Sequence, residues 1–397
     1  MVSPISLRRE HSFLLTGIFL VAILLSGGLN NIPFYSTVAN AQKTTNATNH
    51  VIAGDTQNYR IFEGLAPTMQ PSENGIRNNP MPGTFEWWYL QGAFTDGSKT
   101  QITFLTKPWF DNNGPLQPYL VITTESPNGQ VQNSQVRVDT DQFKAARNTV
   151  NVTMGKNWLR GDLNTISLHI PTTSNGLGAD LVFKSAAPPT RFGPSGKWFF
   201  DPSLTRFSGI TDPMPFAKVS GNLTYGGQVH QVQGTGYHDR QWGTVNWNQA
   251  YNGWYWSTGH YGNYTVDMFQ LYASSPFGNQ PTGNFYLSKG SGPSKVLVET
   301  MKGLTAQTSG NISSPGGIHT LAKELTLQWK NGSESATLTL TNPKIIFSTP
   351  GIVNTNATIY GNPQYNRLGG MGTLNVHWKG TNETASAPAI WEDTYTH

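Results

Sequence analysis

The chain has 397 residues, of which only 12% are charged, and carries a formal net charge of +4 without an extended Lys/Arg run, so the footprint of a nucleic-acid binder is missing. It contains no cysteine, which excludes disulfides and thiolate metal sites, and it is long enough to bury a sizeable core without them. With 42 Gly, 25 Pro and 12% aromatic residues, the composition favours strands and turns over surface helices.

In chain order, residues 1–41 read as a signal peptide or an N-terminal anchor. Arg8-Arg9 precede the apolar run Phe13–Leu25, and Ala39-Asn40-Ala41 fits a small-x-small cleavage site. Extended to Leu29, the run approaches the shorter end of spanning length, which would give a membrane association instead. Either reading places the body outside the cytoplasm, secreted or anchored, and Asn-x-Ser/Thr triplets such as those at Asn151 and Asn222 agree with it. Residues 42–58 are polar and read as a disordered linker.

Two domains are then expected, 59–250 and 251–397. Strand character recurs at Glu86–Thr95, Thr100–Pro108, Tyr119–Thr124, Gln130–Val138, Thr149–Met154, Thr165–Ile170 and Ala179–Lys184, separated by turns such as Asp96-Gly97 and Pro127-Asn128-Gly129. Pro188–Pro215 is irregular and reads as a loop over a barrel mouth. Lys218–Tyr225 and Gln228–Tyr237 form a hairpin around Gly226-Gly227, and Asn246–Asn252 reads as a loop.

Trp254–His260 and Tyr264–Ala273 make a second hairpin about Gly262-Asn263. Gly283–Ser288, Lys295–Thr305, Glu324–Gln328, Glu334–Thr341, Lys344–Phe347, Thr373–Lys379 and Ala389–Tyr395 follow as strands. Gly317–Glu324 is expected to form a turn or two of helix. The spacing is that of an antiparallel meander, and the expected fold class is all-β: two consecutive antiparallel barrels or half-barrels.

Chemistry concentrates in two stretches. Gly234–Tyr272 packs Tyr237, His238, Asp239, Arg240 and Trp242 together, then Trp254, Tyr255 and Trp256, with Asp267 inside an apolar run. An apolar wall raises the pKa of a carboxyl group by desolvation, so it can keep its proton near neutral pH and donate it. Phe85–Gly92 sets Glu86 among Trp87, Trp88 and Tyr89. As a strand it puts Glu86, Trp88 and Leu90 on one face and Phe85, Trp87 and Tyr89 on the other. Glu86 then either ties the fold down through Arg or backbone N–H groups, or works in a pocket. By the same alternation His238 and Asp239 point to opposite faces unless the strand ends or bulges there. The nine histidines form no ligand spacing, so no metal and no other cofactor is expected. Trp391-Glu392-Asp393 reads as a closing strand with solvated acids.

Glu86-Trp87-Trp88-Tyr89 resembles the E-W-W-Y motif of the AttH and carotenoid 1,2-hydratase (hydroxyneurosporene synthase) superfamily, and Gly236–Gly243 resembles its G-Y-H-D-H-x-W-G motif. The resemblance runs from about Pro82 to the C-terminus. It implies tandem lipocalin-like β-barrel domains and places Asp239 at the acidic position of the motif, with His238 beside it. Members of that superfamily add water to isoprenoid double bonds by acid catalysis, or fold polyenes for Diels–Alder closure. Arg240 stands where many relatives have His. Being permanently charged it relays no proton, and it is expected to pair with Glu86 or with Asp239.

Three functions are compatible with these residues. One is an enzyme on an isoprenoid or polyene-like molecule, a hydro-lyase or a pericyclase-like isomerase. Here Asp239 is the acid, His238 and Glu86 assist, and Trp87, Trp88, Tyr89, Tyr237, Arg240, Trp242, Trp254, Tyr255, Trp256 and Asp267 bind the ligand. The second is a carrier of the same hydrophobic small molecule. The third is a structural protein of the cell envelope.

Overall fold

The computed structural model describes residues 50–396, apart from 79–80, 108–112, 291–294, 318 and 351–363. The segment read as a signal or anchor lies outside the described residues. Among the described residues, twenty-two strands form two sheets. The first sheet is built from β1 (Ile52–Ala53), β2 (Phe85–Phe94), β3 (Lys99–Leu105), β4 (Tyr119–Glu125), β5 (Val131–Arg137), β6 (Phe143–Ala145), β7 (Asn151–Met154), β8 (Asn157–Gly161), β9 (Thr165–Ile170), β10 (Gly178–Ser185), β11 (Lys197–Phe199), β12 (Phe207–Tyr225) and β13 (Gln228–Gly243). The second is built from β14 (Tyr251–Tyr261), β15 (Tyr264–Ala273), β16 (Pro281–Lys289), β17 (Lys295–Thr300), β18 (Leu304–Ser313), β19 (Thr320–Asn331), β20 (Glu334–Pro350), β21 (Gln364–Trp378) and β22 (Thr381–Tyr395).

The order in the first sheet is β5-β4-β3-β2-β13-β12-β10-β9-β8-β7-β6, with β11 joining β12 and β1 joining β11. In the second it is β17-β16-β15-β14-β22-β21-β20-β19-β18. The paired strands are antiparallel throughout. The fold is thus nearly all-β, with each sheet curled into a half-barrel.

Both sheets belong to one compact unit and share their apolar surface in three clusters. Trp88, Leu90, Ile102, Phe104, Leu120 and Ile122 fill the first half-barrel. Val266, Met268, Phe285, Leu287, Leu325 and Leu338 fill the second. Between them lies an aromatic cluster that includes Trp87, Tyr89, Tyr237, Trp247, Trp254, Trp256 and Phe269. Strand β2 is therefore buried on both faces, which is why its sequence is mostly apolar, interrupted by Glu86 and Gln91.

β2 and β13 pair without interruption, setting Leu90 opposite His238, Tyr89 opposite Asp239, Trp88 opposite Arg240 and Glu86 opposite Trp242. The two motifs are one ladder. Gly236 permits its close packing: a Cβ there would fall 2.6 Å from the Gln91 carbonyl oxygen and 2.6 Å from Val219 Cγ2. Gly236→Ala will lower stability by roughly 1–3 kcal/mol, as other forced overpackings do. Urea denaturation reads the change, and an unmoved midpoint would contradict this packing.

The structure departs from the sequence expectation where proline misled. The irregular stretch Pro188–Pro215 contains β11 and the first half of β12. That strand loses register between Thr211 and Met214 and again between Met214 and Ala217. Pro213 and Pro215 lie inside those two gaps, where a residue without an N–H cannot complete the ladder. Likewise Glu334–Thr341 and Lys344–Phe347 are one strand, β20, interrupted where Asn342 adopts a left-handed φ of 55° before Pro343.

Lys295–Thr305 is two strands, β17 and β18, and the helix expected at Gly317–Glu324 is mostly the start of β19. The loop expected at Asn246–Asn252 holds a short helix, Trp247–Ala250. Of the linker expected at 42–58, residues 52–53 pair with Phe199 and Trp198, and a helix, Gln57–Phe62, begins within it. Among the described residues no helix is long and apolar enough to cross a membrane.

Candidate functional site

A cavity of about 1020 Å³, mouth included, opens between the two sheets. Its first-sheet wall carries Trp87, Tyr89, Asp239 and Gln241; its second-sheet wall carries Trp254, Trp256, Phe269, Tyr365 and Glu392. The wall follows from strand alternation: on β2 and β13 the odd-numbered residues face the second sheet.

Carboxyl groups gather at the cavity wall and directly behind it. Asp239 is 3% exposed, and its Oδ1 lies 3.5 Å from the donating Gln241 Nε2. Burial, and then the charges of Asp267 and Glu392, push its carboxyl well above the usual carboxylate range, which favours its protonated form. Glu392 accepts Trp254 Nε1–H at 2.9 Å and Tyr365 O–H at 2.5 Å, and burial raises it as well. Asp267 accepts Trp256 Nε1–H at 3.0 Å, and burial pushes it up to about 7. Tyr237 donates to Asp212 Oδ1 at 2.9 Å, and Asp212 is raised by burial and then by Asp267 and Asp239. The indoles of Trp254 and Trp256 thus serve as hydrogen-bond donors to acids as well as an aromatic wall.

This arrangement has a measurable cost. A free aspartate ionises near 3.8 and the folded Asp267 at about 7, so between those values the native state holds a proton the unfolded chain has released. Stability from this group is full below the lower value and declines by up to about 1.4 kcal/mol per pH unit toward the upper one. Asp267→Asn will make stability fall less steeply between about pH 5 and pH 7 in urea titrations. An equally steep decline in the variant would contradict a buried, protonated Asp267.

The even-numbered residues of the two motifs lie on the other face of the ladder, away from the cavity. Glu86 accepts the backbone N–H of Arg77 at 2.8 Å and of Asn78 at 3.0 Å, and it is ion-paired with Arg240. The Arg240 guanidinium lies 4.8 Å from the Trp242 ring and 5.7 Å from that of Trp88. His238 Nδ1 donates to the Tyr89 carbonyl oxygen at 2.8 Å, and burial lowers the ring's pKa to about 4, so it is neutral. Its bare Nε2 lies 3.1 Å from the Asn74 carboxamide, which must present its N–H₂ there.

The expectation that His238 and Glu86 share a hollow with Asp239 is therefore corrected by strand parity: both are braces at the end of the first half-barrel. Trp88, Arg240 and Trp242 stand with them. Tyr255 is half-buried against the second half-barrel's own core, edge-on to Tyr272. Tyr237 and Asp267 lie just behind the cavity wall. Of the two partners open to Arg240, the structure selects Glu86, which leaves Asp239 un-neutralised.

Residues 129–296 match the Diels-Alderase-like family. The quinolone epoxide rearrangement protein asqO of Emericella nidulans is 23% identical over 240 residues, 54% of this chain and 62% of that protein. The quinolone epoxide rearrangement protein penF of Penicillium thymicola is 27% identical over 103 residues, 26% of this chain and 28% of that protein. The chain therefore matches less than two thirds of the length of either relative.

A putative AttH from Nitrosomonas europaea superposes with a TM-score of 0.57 at 16% identity, covering 84% of this chain and 100% of that one. CghA gives 0.57 at 13%, covering 87% and 97%. Kievitone hydratase from Nectria haematococca gives 0.53 at 15%, covering 83% and 97%. The chain shares the fold of these AttH-like proteins.

Within this AttH-like fold, several site residues escaped the sequence reading. Glu392 and Asp393, expected to be solvated, are 8% and 2% exposed. Asp212 was hidden in the proline-broken strand. Glu73 and Asn74 come from a short 3-10 turn, Pro71–Asn74, that plugs the AttH-like half-barrel. There Glu73 accepts Arg191 Nε at 2.6 Å and Nη2 at 2.7 Å, and the Asn74 carbonyl accepts Trp88 Nε1–H at 2.9 Å. Arg367, from β21, reaches Tyr89 across the sheets. The available signal was a charged residue inside an otherwise apolar or small-residue strand, at Glu392 and at Arg367 alike.

Proposed function

We propose that this protein is an enzyme that binds an apolar, unsaturated or epoxide-bearing small molecule between its two sheets and activates it with a proton from Asp239. The observation that supports this is a buried carboxyl, Asp239, whose pKa desolvation raises and which opens into a ring-lined cavity. In an epoxide rearrangement, Asp239 would protonate the oxygen as the C–O bond breaks. The positive charge developing on carbon would face Trp87, Trp254 or Trp256, each contact worth about 0.5–2 kcal/mol. The carboxylate then recovers a proton from the neighbouring carbon, so an isomer forms and no proton is consumed. Enzymes lower barriers by about 8 kcal/mol or more, so the acid must supply the larger share.

The activities that name the sequence relatives and one fold neighbour, quinolone epoxide rearrangement and kievitone hydration, are both compatible with an acid in an apolar pocket. The carbon–carbon closure suggested by the family's name would use the same hollow as a template. The experiment is to incubate the purified chain with quinolone epoxides, isoprenoid alkenes and linear polyenes, following binding by native mass spectrometry and conversion by chromatography. Conversion of at least one bound class is expected. Tight binding across the panel with every ligand recovered unchanged would replace the enzyme by a carrier.

We also propose that the chain is exported, on the strength of Arg8-Arg9, the apolar run and Ala39-Asn40-Ala41. Recovery of protein beginning near Gln42 outside the cytoplasm would support this; a cytoplasmic chain retaining Met1 would overturn it.

A further inference from the structure

The cavity has a second polar pole, built around an arginine that the acid mechanism leaves unused. Arg367 is 3% exposed, and among the described residues no carboxylate oxygen lies within ion-pair distance of its guanidinium. It donates instead to three neutral acceptors. Nη1 donates to the Tyr89 hydroxyl oxygen at 2.5 Å and to Gln101 Oε1, and Nη2 donates to Gln91 Oε1. The nearest acid along the ladder, Glu392, is its cross-strand neighbour, but the two Glu392 oxygens are taken by Trp254 and Tyr365.

The consequence for the cavity is a matter of donors and acceptors. Arg367 consumes the oxygens of Tyr89, Gln91 and Gln101. Of these residues Tyr89 and Gln101 line the cavity. Tyr89 retains its O–H, held only by Gln91 Oε1 at 3.2 Å, and Gln101 retains its N–H₂. Both are donors, and both are polarised by the cation behind them. Its nearest acid, the cross-strand Glu392, interacts with it through space without an ion-pair contact, so an anionic ligand bonded at this pole would add stabilisation to the buried cation.

We propose that this pole receives an oxyanion: the ligand is an apolar body ending in a carboxylate or an enolate, seated on Tyr89 and Gln101 with Arg367 behind them and its hydrocarbon part toward the tryptophans. The proposal rests on the cavity reading above and names the class of molecule it takes. Asp239 and the Arg367 pole would then act on different parts of one ligand, the acid at the reacting carbon or oxygen and the pole at the anchoring group.

The test uses the full chain and matched pairs that share a hydrocarbon skeleton: retinoic acid with retinol, farnesoic acid with farnesol, linoleic acid with linoleyl alcohol. Affinities are read from quenching of intrinsic tryptophan fluorescence. In the native protein at neutral pH each acid is expected to bind at least about tenfold more tightly than its alcohol, the scale of a charge-assisted hydrogen bond. Arg367→Gln should abolish that ratio while leaving alcohol binding in place, and Tyr89→Phe should reduce it.

Equal binding of acids and alcohols by the native protein overturns the proposal and leaves the cavity reading standing. A ratio that survives in both variants does the same. Should Arg367→Gln fail to fold by circular dichroism, an undiminished ratio in Tyr89→Phe is the overturning result. If no pair binds, the cavity reading fails, and this proposal with it.

Discussion

Arg240→Leu will destabilise the protein by about 3–5 kcal/mol, the usual consequence of removing one partner from a buried ion pair. The Glu86 carboxylate would remain buried with two backbone N–H donors and without its counter-charge. Trp242 would also lose one of the two guanidinium groups at its ring, since Arg77 lies 4.5 Å from it. In urea the midpoint should fall at nearly constant slope. The double variant Glu86→Leu/Arg240→Leu should recover part of the loss, because replacing both members of a buried pair by apolar groups costs far less than stranding one. Ligand affinity should be unchanged in whatever fraction stays folded, since the pair faces away from the cavity. A single variant as stable as the native protein would show that the pair does not brace the half-barrel.

Asp239→Asn will reduce turnover of any substrate the cavity converts by about 10²–10⁴-fold, the contribution of a positioned general acid. Asparagine keeps the shape and the hydrogen bond to Gln241 and cannot give up a proton to an epoxide or alkene, so binding should be almost unaffected. The pH profile carries a second signature. The group works as an acid while protonated, so activity should persist above the ordinary aspartate range and disappear as pH rises through its elevated pKa. Burial is the first cause of that elevation and the charge of Asp267 the second. Asp267→Asn should therefore move the loss of activity to lower pH. A profile indifferent to Asp267, with full turnover in Asp239→Asn, would remove the acid from the mechanism.

The parts of this site that were legible in the sequence are those fixed by local alternation. Phe85–Gly92 reads as a strand with Trp87 and Tyr89 on one side and Glu86 and Trp88 on the other, and β2 keeps that division. The same rule separates His238 from Asp239. The motif alone groups them because they are adjacent in sequence, whereas a pleated strand sends adjacent side chains to opposite faces. What remained hidden depends on distant pairing. Arg367 meets Tyr89 across 278 positions and Glu73 meets Arg191 across 118. Nothing local marks those encounters. Asp212 was masked by Pro213 and Pro215, whose turn-like appearance concealed a strand that merely loses register around them. Glu392 looked like a solvated acid because the sequence does not reveal that an indole N–H and a phenol would be waiting for it.

The most direct measurement is an infrared comparison of the native protein with Asp239→Asn at neutral pH, in protein carrying carboxyl-labelled aspartate. A protonated carboxylic acid has a C=O stretch well resolved from that of a carboxylate. The native spectrum should contain such a band, shifted by the label, absent from the variant, and lost as pH rises through the elevated pKa of Asp239. A native spectrum with no acid band assignable to Asp239, titrating instead at the ordinary aspartate pKa, would contradict the account.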